Sequence, residues 1–167
     1  MTFRYLLVGA LLASTATTVP VFAQANTDIT VVLSEELDLV EPCMATRSNI
    51  GRVILQNISE TLTELDVRGD EGLKPRLAES WEDKGDGTWQ FKLRDGVKFS
   101  DGTTFDAADV KHSFDRVFSD QLTCESKRYF ADTSLTFTVV DDLTIDVKAE
   151  PAQPVLPLLM SLVTIVP

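Results

Sequence analysis

Two cysteines, one histidine and a run of acidic side chains are where chemistry would begin in this chain. Cys43 and Cys124 are the only thiols and His112 the only imidazole. A transition-metal site therefore has too few soft or imidazole ligands, and none is expected. His112 lies mid-helix beside Lys111 and off the apolar stripe, which reads as an exposed position rather than a general base. Glu35, Glu36, Asp38 and Glu41 crowd one loop. They could draw a cation or a peptide amino terminus, but a solvated acidic loop explains them more simply. Asp86-Gly87 and Asp101-Gly102 are turn pairs, because the alternating-aspartate spacing of a calcium loop is missing. No nucleophile–base pair is set up by spacing, and no glycine-rich phosphate loop occurs. The chain reads as a non-enzyme without cofactors. Trp81 and Trp89 could stack on a ligand, but their place in a hairpin makes them core residues first.

The elements that would position these side chains centre on residues 73–110. Thr88–Leu93 alternates strictly, with Trp89, Phe91 and Leu93 on one face and Thr88, Gln90 and Lys92 on the other. That period marks a half-buried strand. Lys84-Gly85-Asp86-Gly87 is the turn before it, and Asp95-Gly96 and Asp101-Gly102 are turns after it. Asp106 then caps a helix running to about Phe118, with Val110, Phe114 and Val117 inward and Asp109 favourably placed in the first turn. Upstream, Asp28–Leu33 is a short strand, and residues 34–48 form a long loop. A helix from Ser48 or Asn49 to about Ser59 carries Ile50, Val53, Ile54, Leu55 and Ile58 as a core-facing stripe. Thr61–Leu65 alternates as a strand. Downstream, Phe137–Val140 and Leu143–Lys148 form a hairpin with Asp141-Asp142 as its loop. Leu156–Met160 starts a helix limited by Pro157. The apolar, β-branched stretch Leu162–Val166 reads as a strand cut from its partners.

The N-terminus has a different character. A short basic start with Arg4, an apolar run from Leu6 to Val19, and small residues at Ala23 and Ala25 predict a secretory signal peptide over residues 1–25, cleaved after Ala23 or Ala25. No lipid-attachment cysteine follows it, and no later segment is apolar for long enough to span a membrane. Removing 25 of the 167 residues leaves 142 and takes away one cation, so the net charge moves from −11 to −12. That balance argues against nucleic acid and anionic membrane surfaces, and Lys127-Arg128-Tyr129 is too small a basic patch to reverse it. Export favours a Cys43–Cys124 disulfide over two buried free thiols, closing a loop of about 80 residues.

The residues of the central stretch also carry a likeness. Leu77, Ala78, Ser80, Trp81, Leu93, Arg94, Gly96, Val97, Phe99, Asp101, Gly102, Thr103 and Asp109 fall in one ungapped run. In that order they resemble the family 5 extracellular solute-binding proteins, the periplasmic receptors of peptide and nickel ABC importers. The resemblance extends more weakly from about Thr27 to the C-terminus. It implies an α/β fold, α+β within residues 26–167: the N-terminal part of lobe one of a two-lobe binding protein, incomplete at the C-terminus, with a mixed sheet, hairpins and two main helices. It implies capture of a small solute, most simply a short peptide, for an inner-membrane ABC permease by a periplasmic monomer. Glu41-Pro42 stands where the family usually has Asp-Pro at the ligand cleft, so Met44, Ala45, Thr46, Arg47 and Ser48 are the candidate ligand contacts. The alternatives are a stand-alone exported α+β interaction module, or a truncated remnant of such a receptor.

Overall fold

In the computed structural model, residues 40–45, 49–69 and 72–167 are described, together with Thr30 and Val32. The expected signal peptide, the strand at 28–33 and the carboxylates Glu35, Glu36 and Asp38 lie outside the described residues. Thr30 and Val32 belong to a separate N-terminal unit, and every described helix and strand lies in the unit Leu33–Pro167.

The order is α1 (Pro42–Ala45), α2 (Asn49–Ile58), β1 (Thr63–Leu65), β2 (Leu73–Pro75), β3 (Ala78–Gly85), β4 (Thr88–Leu93), α3 (Ala107–Phe118), a 3-10 turn at Glu125–Phe130, β5 (Ser134–Asp141), β6 (Thr144–Glu150), α4 (Leu156–Leu159) and a 3-10 turn at Met160–Leu162. β1 and β2 pair as a small ribbon, and the other four strands form a sheet in the order β3-β4-β6-β5. This is the α/β class expected, with α2 and α3 as its two main helices. The pairing differs: every described strand pair is antiparallel, not mixed. Hairpins joined by short loops produce that result, since a parallel pair needs a long crossover.

The alternation in β4 works as anticipated. Phe91 and Leu93 are buried and Lys92 is exposed. Ile145, Val147 and Ala149 of β6 extend the same face, on which Val110, Phe114 and Val117 of α3 are also buried. Phe114 stacks at 4.6 Å on Phe137 of β5 and meets Phe130 edge-on at 6.2 Å. Fully burying aromatic side chains of this size stabilises by about 2–3 kcal/mol each. The opposite face is polar, with Gln90 donating to Asp146 and Lys92 to the Thr144 hydroxyl, both at 2.8 Å.

The β3–β4 turn fixes its own sequence. Asp86 and Gly87 both have positive φ, 49° and 85°, as a two-residue hairpin loop of the primed type requires. A Cβ on Gly87 would also sit 2.6 Å from the Ala149 carbonyl. Helix α3 starts as foreseen and more tightly. Asp106 Oδ1 accepts from the Ala108 amide at 2.7 Å and the Asp109 amide at 3.3 Å. Asp109 Oδ2 accepts from the Asp106 amide at 2.9 Å, closing a reciprocal capping box.

Three local expectations are corrected. In α2, Leu55 is buried but Val53 (47% exposed) and Ile58 (62%) face outward, so the stripe is narrower than the periodicity implied. The β5–β6 loop is Asp142-Leu143, one residue later than expected. Asp141 accepts from the Leu143 amide at 2.9 Å, while the Leu143 carbonyl accepts from Leu93 and that of Asp142 from Ala107. These bonds to β4 and α3 outweigh the local preference for an Asp-Asp turn. Finally, residues 163–167 form no strand. They run as an extended strap, the Ile165 amide donating to the Glu60 carbonyl and the Val166 amide to Ser113 Oγ, both at 2.9 Å. Its Val163 and Ile165 side chains are buried in the core.

Candidate functional site

The segment preceding α2 is where the sequence placed ligand contacts. Its described part is one helical turn. Pro42 occupies the first helical position, where its fixed φ and missing N–H cost nothing. Glu41 caps the turn: the Met44 amide reaches the Glu41 carbonyl at 3.1 Å and Glu41 Oε2 at 2.9 Å. Cys43 is buried and bonded to Cys124, which precedes the 3-10 turn at Glu125–Phe130. The disulfide expectation is thus met. Its partners are 81 residues apart, a loop whose closure restricts the unfolded chain by about 4 kcal/mol.

A second link was not foreseen. Arg116, near the C-terminal end of α3, donates through Nη2 to Glu41 Oε1 and through Nη1 to Cys43 Sγ at 3.5 Å. Both members of the ion pair are largely covered, with side chains 26% and 22% exposed. By helical spacing alone Arg116 falls off the Val110, Phe114 and Val117 face. An acidic cap before a proline and a basic residue in the last turn of a later helix were visible, but their pairing spans 75 positions, and no local period reports it.

Of the expected contacts, Met44 is half-buried against the core and Ala45 ends α1. Thr46, Arg47 and Ser48 lie outside the described residues. The remaining candidates resolve into structural roles. Trp81 and Trp89 pack partly buried against the core, and Trp89 Nε1 donates to the Gln153 carbonyl at 3.3 Å. Asp101 accepts from the Thr103 hydroxyl at 2.7 Å and amide at 2.9 Å, which holds its carboxyl below the ordinary range. Burial pushes the Asp109 carboxyl up, against the opposing Asp106 amide. His112 is exposed. Lys127 reaches the Phe118 carbonyl at 3.3 Å, and Arg128 lies 4.9 Å from the centre of the Tyr129 ring. Among the described residues no three His, Cys, Asp or Glu side chains converge on a common point where a metal could bind. An open groove of about 430 Å³ lies between the C-terminal half of α3 and β5, floored by Phe118, Phe130 and Phe137 and edged by Asp115, Lys127 and Thr133. No helix among the described residues is long and apolar enough to cross a membrane.

These parts amount to a four-stranded antiparallel sheet packed on α3, to which a capped turn is fastened. The sequence model of the bacterial extracellular solute-binding proteins, family 5 (middle region), matches residues 72–167. The chain belongs to this family. The glutathione-binding protein GsiB of Escherichia coli K12 is 36% identical over 95 residues, covering 56% of this chain and 18% of that protein. GsiB of Salmonella paratyphi A is 33% identical over 127 residues, 75% of this chain and 24% of the relative. Among solved structures, AgaA of A. tumefaciens R10 in complex with agropinic acid superposes with a TM-score of 0.70 at 25% identity, covering 79% of this chain and 26% of that one. OppA of Burkholderia pseudomallei gives 0.62 at 26% identity, covering 70% and 26%. This family 5 chain therefore spans about a quarter or less of the length of the relatives it matches.

Proposed function

We propose that this chain is part of a periplasmic receptor that captures a short peptide and delivers it to an inner-membrane ABC permease. Family membership over residues 72–167 carries the reading. The choice of peptide draws on the curated relatives named for glutathione, itself a tripeptide, and on the solved oligopeptide-binding neighbours. Peptides suit such clefts because main-chain groups and fixed charges hold the backbone while water-filled pockets tolerate varied side chains. Residues 1–25 direct export, and residues 26–167 supply the first part of one lobe. Met44, Ala45, Thr46, Arg47 and Ser48 line the wall of the cleft, and the receptor works as a monomer. The proposal assigns no catalysis, because binding and release by hinge closure complete the cycle.

The test is a thermal-shift and calorimetry panel on the native exported product: glutathione, tri-alanine, the nickel–histidine complex and agropinic acid. Stabilisation by a peptide at micromolar concentration is the expected result. A response only to the nickel complex or to agropinic acid would overturn the peptide assignment and keep the receptor. Silence across the panel, with no solute released on denaturing the native product, would overturn both.

A further inference from the structure

We propose that Arg116 is a positioning residue for solute binding: with the Cys43–Cys124 bridge, it fixes how the Glu41–Ala45 turn, which carries the proposed contact Met44, sits on α3. The inference rests on the solute-binding reading above.

The turn cannot hold itself. α1 has four residues, far below the length at which a helix is stable alone. The disulfide fixes Cys43 close to Cys124, and Met44 packs partly buried against the core, but neither contact holds the carboxylate that caps the turn. Arg116 supplies that attachment. Its planar guanidinium reaches Glu41 with one nitrogen and the bridged sulfur of Cys43 with the other. Lysine, a single point donor, cannot span both. Glu41 is committed on both sides, Oε1 to Arg116 and Oε2 to the Met44 amide. Cap and ion pair therefore share one carboxylate, and loss of the guanidinium frees the carboxylate that caps the turn.

Arg116 is not needed to keep α3 in place. That helix is capped at its other end by Asp106 and Asp109, and is held by Val110, Phe114 and Val117. Arg116 lies outside this buried set. Its removal should therefore alter the turn far more than the platform.

The test compares mature full-length protein with Arg116→Met, Arg116→Lys and Glu41→Gln. Hydrogen exchange at the Met44 amide is one readout. Affinity for tri-alanine and S-methylglutathione is the other, the methylated form being chosen so that the probe cannot reduce the bridge. Arg116→Met should speed Met44 exchange about tenfold, the loss of a charge-assisted contact, and weaken probe binding by a similar factor. Arg116→Lys should restore part of both, and amides of β4 and β6 should exchange as in the parent. Unchanged Met44 exchange in Arg116→Met overturns the proposal, as does faster exchange with unaltered affinity, which leaves a fastening without a binding role. If Arg116→Met does not fold, Glu41→Gln is judged by the same two criteria, since it leaves α3 untouched. If the parent binds neither probe, the peptide-receptor reading fails for them. The positioning role in binding then falls with it, while Met44 exchange still decides whether Arg116 fastens the turn.

Discussion

The sheet β3–β6 with α3, and the helices α1 and α2 before it, are held in the fold by different means. In the first region, continuous ladders join β3, β4, β6 and β5, and an unbroken apolar face lies beneath them. In the second, two short helices depend on a disulfide, one ion pair and a few buried contacts such as Leu55. The ladders distribute stability over many small terms, so that no single hydrogen bond is decisive. The upstream region concentrates it in two links, and concentration makes position sensitive to a single side chain. The first arrangement suits a platform, and the second a turn whose position depends on few contacts.

The comparison can be broken most forcefully at the centre of the platform. Phe114→Ala removes a fully buried ring that touches both Phe130 and Phe137, and should cost about 3–5 kcal/mol in chemical denaturation. A loss under about 1 kcal/mol would mean the ladders, not the core, hold this region. Next, replacing Cys43 and Cys124 together by serine should cost about 3–4 kcal/mol globally. Exchange in residues 41–58 should rise well before that of β4 and β6. If both regions loosen in step, the two modes of attachment are not separate. Asp106→Ala removes the acceptor for two amides at the start of α3 and should cost about 1 kcal/mol. A Val53→Ala change on the exposed side of α2 should stay within about 0.5 kcal/mol.

The smallest effect concerns pH. Asp66, through its bond to Lys74, Asp101, through the Thr103 hydroxyl, and Asp141, through Thr144, all have carboxyls held below the ordinary range. Their stabilisation is present above the usual carboxylate value near pH 4 and is lost as pH falls through their lower folded values. Thermal midpoints followed downward from neutrality should be flat and then drop, less steeply in Asp141→Asn. An equal drop in that variant would assign acid sensitivity to other groups.

The same division marks what could be read from the sequence. The alternation of β4, the glycine turns and the Asp106 cap are local signals, and each was legible because its cause lies within a few residues. The family likeness sat in that same stretch. The shifted β5–β6 loop escaped because its hydrogen bonds go to Leu93 and Ala107, outside the hairpin. The outward Ile58 escaped because periodicity marks a stripe and not how much of it is covered. At the candidate site, two cysteines sufficed to suggest the bridge, whereas Arg116 gave no sign of its partner.

The strand order has a consequence for how the chain reaches this structure. β3–β4 and β5–β6 are hairpins whose strands are adjacent in sequence. The seam joining them, Phe91 opposite Ile145 and Trp89 opposite Val147, is made by residues more than fifty positions apart. Closing that interval costs conformational entropy before any contact repays it. The hairpins can form within microseconds, so the rate of folding should be set by the meeting of two preformed ribbons, with α3 carried between them as the piece that must dock in the same event.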